Sequence, residues 1–399
     1  MTDLAIKKFR LKNFKAIVDS GTVEFEPLTV FIGNNGAGKS SLLEGLETYQ
    51  NILKHGLEIA MNRWQGFEQV RNRIMPHDIT PTPMMFEWCR SLESTTFRAN
   101  MSVTLGEDGE ARIQNEQLFF REQLIVERKA DNAFEFPELE SFDFSAPASS
   151  EFSILSKSNS AVWAALSRYV KRIESASSST ILMEWLEYIN NHKLFWDNFD
   201  CQFMTLNSCS NSMPRTRIGR EVQLNKDGSN IAKYLLNLRK LNPAAFYSIL
   251  EALQHLLPYA KDLQVVLSTE LKHSVYLQLT EGECQIAEWL LSTGTLRIVA
   301  LLALLLHPKP PALIVIEEIE NGLDPRTLQF ILEEIRKVVN SGKSQVILTS
   351  HSPYFFGLLR LENIVLVERD GNGQPTFFKP DNKNTLLEWI KKFSPGNKI

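Results

Sequence analysis

The sequence has few of the features that mark secreted, metal-binding or membrane proteins. Its four cysteines, Cys89, Cys201, Cys209 and Cys284, show neither the spacing of a metal site nor the density of a disulfide scaffold. No apolar run reaches the roughly 18 residues that a membrane-spanning helix needs. The first residues lack the basic-then-apolar pattern of a secretion signal. We therefore expect a protein of the reducing cytoplasm, with no membrane partner.

An excess of positive charge is also missing, since the formal net charge is −4. The chain as a whole has no general attraction for nucleic acid, so DNA binding would need a local basic patch. We find no internal repeat and no long heptad pattern. With 399 residues, of which 43% are hydrophobic, the composition predicts one large or two closely joined globular domains.

The most informative segment begins at Gly33 and reads Gly-Asn-Asn-Gly-Ala-Gly-Lys-Ser. It fits the P-loop pattern G-x-x-x-x-G-K-[ST], in which glycines let successive N–H groups point at a triphosphate. Lys39 can then reach the β- and γ-phosphates, and the Ser40 hydroxyl can hold Mg²⁺. A buried strand is predicted before the loop at Leu28–Ile32, and a helix that ends at Gly56 is predicted after it. The segment predicts nucleoside triphosphate binding.

Two acidic residues follow a second hydrophobic strand, predicted at 312–316. In such a pair the first acid, Glu317, orients the shell of a magnesium ion, and the second, Glu318, polarises the attacking water. A strand end that is acidic by chance is the structural alternative. We interpret Glu317 as a metal-shell residue and Glu318 as the general base of ATP hydrolysis.

Two shorter motifs have both a structural and a functional interpretation. Leu291–Thr295 precedes an apolar helix predicted at 296–306, where Ser and Thr either cap the helix or help to bind an anion. His351 follows a strand predicted at 345–349 and could donate to a γ-phosphate or serve only the structure. Both interpretations stay open for both motifs.

Buried strands alternate with helices near both ends of the chain, which predicts a mostly parallel sheet flanked by helices. The middle of the chain differs, because it predicts antiparallel strands at 97–105, 118–128, 263–268 and 274–280. It also predicts helices at 161–173 and 181–199 and a loop-rich insertion at 131–160. We expect an N-terminal lobe at 1–130, a helical insertion or lid at 131–260, and a C-terminal lobe at 261–399. The first and third should form one ATPase head.

In their order and spacing these motifs resemble the ABC-type ATPase heads of the RecF/SMC class, and most closely the stand-alone predicted ATPases related to the OLD family. The matching segments are Walker A (Gly33–Ser41), the signature (Leu291–Thr295), Walker B (Leu313–Glu318), the D-loop (Glu320–Pro325) and the switch histidine within Ser350–Pro353. The segments Arg121–Arg128 and Asn225–Ile231 also resemble parts of this group.

The resemblance implies an α/β P-loop NTPase head with a mixed, mostly parallel sheet, an antiparallel β subdomain and an inserted helical region. It implies ATP and Mg²⁺ as cofactors, with Ser40 and Glu317 at the metal and with Glu318 and His351 as catalytic residues. The implied nucleotide contacts are Asn34, Asn35, Gly36, Ala37, Gly38, Lys39, Ser40, Ser41, Ser292, Gly294 and Asp324. Phe14 or Lys15 could contact adenine, although an ordinary strand position explains them equally well. Gln65 and Gln69 are weak Q-loop candidates.

Heads of this class sandwich ATP between two copies, which implies a homodimer or a higher homo-oligomer. Ser292 of one copy would then contact the γ-phosphate held by the other. The sequence has no coiled-coil arms, and the segment after His351 leaves no room for the Toprim nuclease that OLD proteins carry. Family members that this chain resembles often accompany a separate effector, so the resemblance implies a regulatory ATPase of antiviral defence that controls a nuclease or toxin.

Two alternatives remain for the role of the ATPase. The first is a RecF-like repair ATPase that clamps DNA. The net charge of −4 counts mildly against this alternative. The ATP subunit of a transporter is less favoured, because such subunits usually carry a stricter signature ending in Gln, where this chain has Thr295.

Overall fold

The computed structural model describes residues 5–74, 82–92, 95–128, 133–137, 146–147, 153, 155, 184–185, 201–206, 223–268 and 274–393. The chain divides into two compact units. The first comprises Met1–Glu26, Phe31–Phe199 and Leu361–Ile399, and the second comprises Pro27–Val30 and Asp200–Arg360. The lobes expected from the sequence, with borders at 130 and 260, stay a prediction.

The first unit contains a nine-stranded sheet in which every described pairing is antiparallel. Its order is β10-β9-β8-β7-β6-β5-β1-β2, and β3 also pairs with β1. The strands are β1 (Lys8–Phe14), β2 (Ile17–Asp19), β3 (Val23–Glu24), β5 (Met84–Leu92), β6 (Thr95–Leu105), β7 (Ala111–Phe120), β8 (Gln123–Arg128), β9 (Ala133–Glu135) and β10 (Ala146–Pro147). Three strands, β1, β2 and β3, thus precede the P-loop strand.

The strand predicted at 118–128 is wrong, because the chain turns back in its middle. Arg121 and Glu122 adopt left-handed backbone angles, with φ of 50° and 65°. Phe120 on β7 pairs directly with Gln123 on β8. Arg121 and Glu122 therefore form the whole loop of a hairpin. Two-residue hairpin loops favour such angles, but usually with Asn or Gly. Since this loop carries two charged residues instead, its sequence gives no turn signal.

The strand before the P-loop, β4 (Leu28–Gly33), is shared between the units, with Leu28–Val30 in the second and the rest in the first. In the first unit its end is followed in sheet order by the antiparallel pair β17 (Ile364–Arg369) and β18 (Pro375–Phe378). The helices here are α1 (Lys39–His55), α2 (Leu57–Asn62), α3 (Phe67–Val70) and α9 (Lys383–Phe393), with a 3₁₀ turn at Leu361–Asn363. As predicted, α1 ends at Gly56, whose N–H donates to the carbonyl of Ile52.

Parallel strands form the centre of the second unit. Their order is β11 (Cys201–Met204), β15 (Leu313–Ile316), β16 (Gln345–Ser350) and then the start of β4. Met204 is in register with Ile316, and Ile316 with Leu348, so β11 and β15 end side by side next to β16, which continues to Ser350. The residues that follow these ends are therefore neighbours, whatever their distance in sequence.

Helices and a small antiparallel sheet complete the second unit. The sheet confirms the strands expected near 263–268 and 274–280. It contains β12 (Ala260–Ser268), β13 (Ser274–Glu281) and β14 (Cys284–Ala287). The helices are α4 (Ile231–Leu241), α5 (Pro243–Leu256), α6 (Thr293–Leu305), α7 (Pro325–Asn340) and α8 (Pro353–Phe356), with a 3₁₀ turn at Glu288–Leu290. Gly342 follows the end of α7 with φ of 70°, as a C′ glycine does, and donates to the carbonyl of Val339.

Several sequence predictions fall on other parts of the chain. The helix expected at 161–173, all of the helix expected at 181–199 except residues 184–185, and most of the loop-rich insertion at 131–160 lie outside the described residues. No helix within the described part of the chain is long and apolar enough to cross a bilayer.

Candidate functional site

The P-loop of the first unit has the backbone that phosphate binding requires. It connects β4 to α1. Gly36 and Gly38 adopt φ of 76° and 113°, values that residues other than glycine rarely adopt. Gly38 is also the N-cap of α1, so the positive end of that helix dipole lies at the loop. The loop therefore offers backbone N–H groups and a helix N-terminus to an anion.

Lys39 is buried at the foot of this loop, with 8% of its surface exposed. Its Nζ donates to the carbonyls of Gly33 at 2.7 Å and Asn34 at 3.0 Å. The ammonium group is thus held within the P-loop itself. Ser40 and Asn34–Gly36 are exposed, Ser41 is partly exposed, and Ala37 is buried.

The β17–β18 pair supports the P-loop within the same unit. Arg369 Nε donates to the carbonyl of Gly36 at 2.9 Å. A Cβ atom on Gly38 would lie 2.6 Å from the side chain of Pro375, so glycine is required for this close approach. A cavity of about 340 Å³ adjoins these contacts, lined by residues 34–37, 367–369 and 389.

In the second unit, the register of β11, β15 and β16 places Thr205, Glu317 and Thr349 side by side. The carboxylate of Glu317 accepts a hydrogen bond from Thr205 Oγ1 at 3.1 Å and lies 3.8 Å from Lys226 Nζ. Lys226 belongs to the segment Asn225–Ile231 that the sequence singled out. Glu317 is therefore an anchored but still partly exposed carboxylate.

Glu318 has an unusual backbone, with φ of 48°, although it is not glycine. Its N–H donates to Thr349 Oγ1 at 2.8 Å, and its carbonyl accepts from the N–H of Asn321 at 3.0 Å. The amide side chain of Asn321 also donates to the Glu318 carboxylate. A left-handed conformation costs a non-glycine residue energy and persists only where its surroundings hold it. Here Thr349 and Asn321 do so.

His351 follows β16 and faces an acid of the D-loop. Its N–H donates to Glu320 Oε1 at 2.7 Å, and its Nδ1 lies 3.2 Å from the same oxygen without the alignment of a hydrogen bond. The His351 side chain is 38% exposed and that of Glu320 is 11% exposed. The imidazole thus lies beside a carboxylate while remaining accessible.

Ser292 caps the signature helix α6, as one of the two interpretations predicts. Its Oγ accepts from the N–H of Thr295 at 3.0 Å and shares a hydrogen bond of 2.8 Å with Thr295 Oγ1. Ser292 and Thr293 are exposed, and Gly294 is partly exposed. When Thr295 is the donor of the shared bond, the Ser292 hydroxyl keeps a hydrogen for a ligand, so capping and anion binding are compatible.

Asp324 likewise caps a helix, α7. Its carboxylate accepts from Thr327 Oγ1 and from the N–H groups of Arg326 and Thr327. The Thr327 hydroxyl, followed by the Thr327 N–H, lowers the pKa of Asp324 below its ordinary value. The capping role accounts for Asp324 in this structure, and its contact with nucleotide stays a prediction.

The residues considered for adenine are placed differently from one another. Phe14 is fully buried and packs edge-on against Trp64 and Phe86, so it has no surface for a base. Lys15 Nζ binds Glu44 at 2.6 Å and lies 3.7 Å from the centre of the Trp64 ring. Gln65 and Gln69 are both exposed, and their assignment to a Q-loop stays a prediction.

The donor set suits a nucleotide-bound magnesium ion better than an ion held by protein alone. Among the residues that the structure describes, no three His, Cys, Asp or Glu side chains converge as a metal cage. Mg²⁺ needs only one or two protein oxygens when phosphates and water supply the others. Ser40 and Glu317 each carry an oxygen of this kind, and their place at one magnesium ion stays a prediction.

Some residues of this site carry no sequence signal of their own. Thr205 follows β11, a four-residue strand that the sequence analysis does not predict, and only the strand register reveals its place beside Glu317. Asn321 lies within the D-loop and Thr349 directly before the switch-histidine motif, but their bonds to Glu318 follow from the folded backbone. The sequence names the acids without naming what holds them.

Two family models match parts of this chain. A protein-family model described as "AAA domain, putative AbiEii toxin, Type IV TA system" matches residues 229–357, and one described as "AAA ATPase domain" matches residues 5–51. The second match contains the P-loop, and the first contains the signature, the acids and His351. No significant match is found among the curated proteins.

Among solved structures, the chain is similar to an SMC head bound to the C-winged helix domain of ScpA, with a TM-score of 0.55 and 12% identity over 96% of this chain and 99% of that one. The SMC head from Pyrococcus furiosus gives 0.48 and 14% over 97% and 99%. The SMC head from Thermotoga maritima gives 0.43 and 13% over 94% and 99%. The first likeness confirms the predicted fold, an SMC-head-like α/β P-loop NTPase fold. Together with the family matches, it supports an ABC-type ATPase.

Proposed function

We propose that this protein binds and hydrolyses Mg²⁺-ATP as an ABC-type regulatory ATPase related to the OLD group. The observation that carries the proposal is the P-loop, with Gly36 and Gly38 in left-handed conformations and Lys39 buried beneath them. The matches to two ATPase-domain families add support.

Each residue has a separate task in this proposal. Lys39 exchanges the carbonyls of Gly33 and Asn34 for the β- and γ-phosphates. Ser40 and Glu317 would hold a magnesium ion, which would neutralise phosphate charge. Glu318 accepts a proton from water as the water oxygen attacks the γ-phosphorus, and ADP is the leaving group. His351, whose imidazole lies beside the Glu320 carboxylate, donates to the γ-phosphate.

We further propose that two copies close around ATP. The exposed Ser292 at the start of α6 supports this, because its hydroxyl and the helix N-terminus can bind a γ-phosphate held by a second copy. Gly294 and Asp324 would lie near the same interface. Since the γ-phosphate contributes these contacts only in the closed state, ATP shifts the population toward closure, and hydrolysis releases it.

Two of the comparisons bear on the process that closure controls. One matching family is described as a putative toxin of a Type IV toxin–antitoxin system, and the similar SMC head is described with a bound partner protein. We propose that closure controls a separately encoded nuclease or toxin in antiviral defence, in the bacterial cytoplasm.

The first experiment measures phosphate release and molar mass together. Wild-type protein should release phosphate from Mg²⁺-ATP, and Glu318→Gln should form a dimer or a larger oligomer with ATP and only monomer with ADP, measured by light scattering. Wild-type turnover in Glu318→Gln would contradict the role of Glu318. Co-purification of the protein with the product of a neighbouring gene would support a separate effector. Salt-sensitive retention of DNA would favour the RecF-like alternative.

A further inference from the structure

The signature helix α6 contains a buried arginine whose side chain reaches the acids. Arg297 lies five residues after Ser292, and only 2% of its surface is exposed. Its guanidinium donates to three carbonyls, those of Leu206 at 2.9 Å, Glu317 at 3.4 Å and Glu318 at 2.5 Å. Burial of a guanidinium is costly unless good hydrogen bonds compensate, so these three bonds strongly constrain the position of the side chain.

The three acceptor carbonyls lie just after two adjacent parallel strands. Leu206 follows β11, whereas Glu317 and Glu318 follow β15. One planar group with fixed donor directions therefore holds the segment that carries both acids. The bond to Glu318 matters most, because that residue has a left-handed backbone with φ of 48°. Arg297 binds its carbonyl, as Thr349 binds its N–H.

A second contact joins α6 to the same segment. Gly294 packs so closely on the D-loop that a Cβ atom there would lie 2.7 Å from the carbonyl oxygen of Gly322. The first turns of α6 thus meet the acidic segment at Gly294 and at Arg297, about 5 Å apart along the helix at 1.5 Å per residue. A small shift of α6 has to be passed on to the peptide of Glu318.

We propose that Arg297 is a positioning residue that links the signature helix to the general base. This inference rests on the proposed function of Glu318 and Ser292. When Ser292 at the exposed start of α6 engages a ligand, the helix sets the position of the guanidinium, and the guanidinium sets the orientation of Glu318. ATP binding at the P-loop does not require Arg297, whereas turnover does.

The test compares Arg297→Met, which removes the donors, with Arg297→Lys, which keeps one charged donor. Arg336→Met is the matched control, because Arg336 donates to the carbonyl of Leu358 within the same unit but away from the acids. We expect kcat to fall at least thirtyfold in Arg297→Met and about tenfold in Arg297→Lys, with the Kd of a fluorescent ATP analogue within threefold of wild type. Arg336→Met should keep kcat within threefold. All rates are measured well below each variant's unfolding temperature, established by circular dichroism.

A double-mutant cycle with Ser292→Ala separates positioning from a general loss of stability. If Arg297 transmits the state of the signature helix, Ser292→Ala should lower kcat much less in the Arg297→Lys background than in wild type. Full additivity of the two changes would overturn the proposal, as would a folded Arg297→Lys protein with wild-type kcat. If wild type itself shows no ATPase activity, or Glu318→Gln keeps it, the proposed function fails instead.

Discussion

The P-loop and the acidic segment after β15 both hold reactive side chains on an unusual backbone, but by different means. The P-loop places glycine at its left-handed positions, where φ reaches 113° at Gly38 without steric cost. The acidic segment places Glu318 itself in a left-handed conformation. One loop is shaped by its own residue types, and the other is held in shape by its neighbours.

This difference decides what a sequence can reveal. A loop whose conformation depends on its own glycines requires glycine at the same positions wherever it occurs, so the motif is easy to find in a sequence. A segment that depends on distant partners, such as Thr349 and Arg297, shows only its acids. The comparison predicts that damage to the P-loop is direct, whereas damage to the acidic segment can start far away in sequence.

The largest effect is expected from the P-loop lysine. Lys39→Ala removes the ammonium group that binds phosphate and also the bonds to Gly33 and Asn34. We expect ATPase activity to fall by about 10²- to 10³-fold or more, because a preorganised charge on a phosphoryl group is lost. Equilibrium binding of a fluorescent ATP analogue and phosphate release measure this. Activity within tenfold of wild type would show that another cation serves the phosphates.

The acid should separate binding from turnover. Glu318→Gln keeps the size of the side chain but removes the base, so kcat should fall roughly 10²- to 10⁴-fold while ATP still binds. Single-turnover hydrolysis and the binding assay distinguish this outcome from that of Lys39→Ala. Glu317→Gln offers a contrast, because its defect should be relieved in part by a higher Mg²⁺ concentration.

The fold and the list of candidate residues could be predicted from the sequence to different extents. The P-loop, the helix that Gly56 ends and the strands around the acids followed from local patterns, which suffice where one segment determines its own structure. The hairpin at Arg121–Glu122 and the strand β11 could not be found, since charged residues occupy the turn and the strand has only four residues. Tertiary pairing determines both elements.

The same limit applies to the site. Phe14 seemed as suitable for a base as for a core from its place in a strand, and only packing against Trp64 and Phe86 settles that it belongs to the core. The bonds of Thr205, Thr349 and Arg297 depend on strand register and helix packing, which no local pattern encodes. The sequence therefore predicts the reactive side chains better than the residues that hold them in place.

A moderate effect is expected where a neighbour supports the acid. Thr349→Val removes the hydroxyl that accepts from the N–H of Glu318 and leaves this N–H without that partner in a buried setting. We expect unfolding to become easier by about 1–3 kcal/mol. Because the base is then misplaced, kcat should fall about tenfold to a hundredfold. Thr349→Ser keeps the hydroxyl and should stay close to wild type in both urea unfolding and turnover. Equal rates for the Val and Ser variants would refute the support role.

The smallest effect concerns a cap that does depend on local sequence. Asp324→Ala removes the acceptor for the first N–H groups of α7 and should lower the free energy of unfolding by about 1 kcal/mol. Asp324→Asn keeps an acceptor but cannot ionise. Because hydrogen bonds lower the pKa of Asp324 in the folded state, its charge adds stability that is fully present above the unfolded value, near 4, and disappears as the pH falls through the folded value. Urea unfolding at pH 7 and at stepwise lower pH should therefore show wild type converging on Asp324→Asn. A constant gap between the two would mean that the charge of Asp324 does not stabilise the helix.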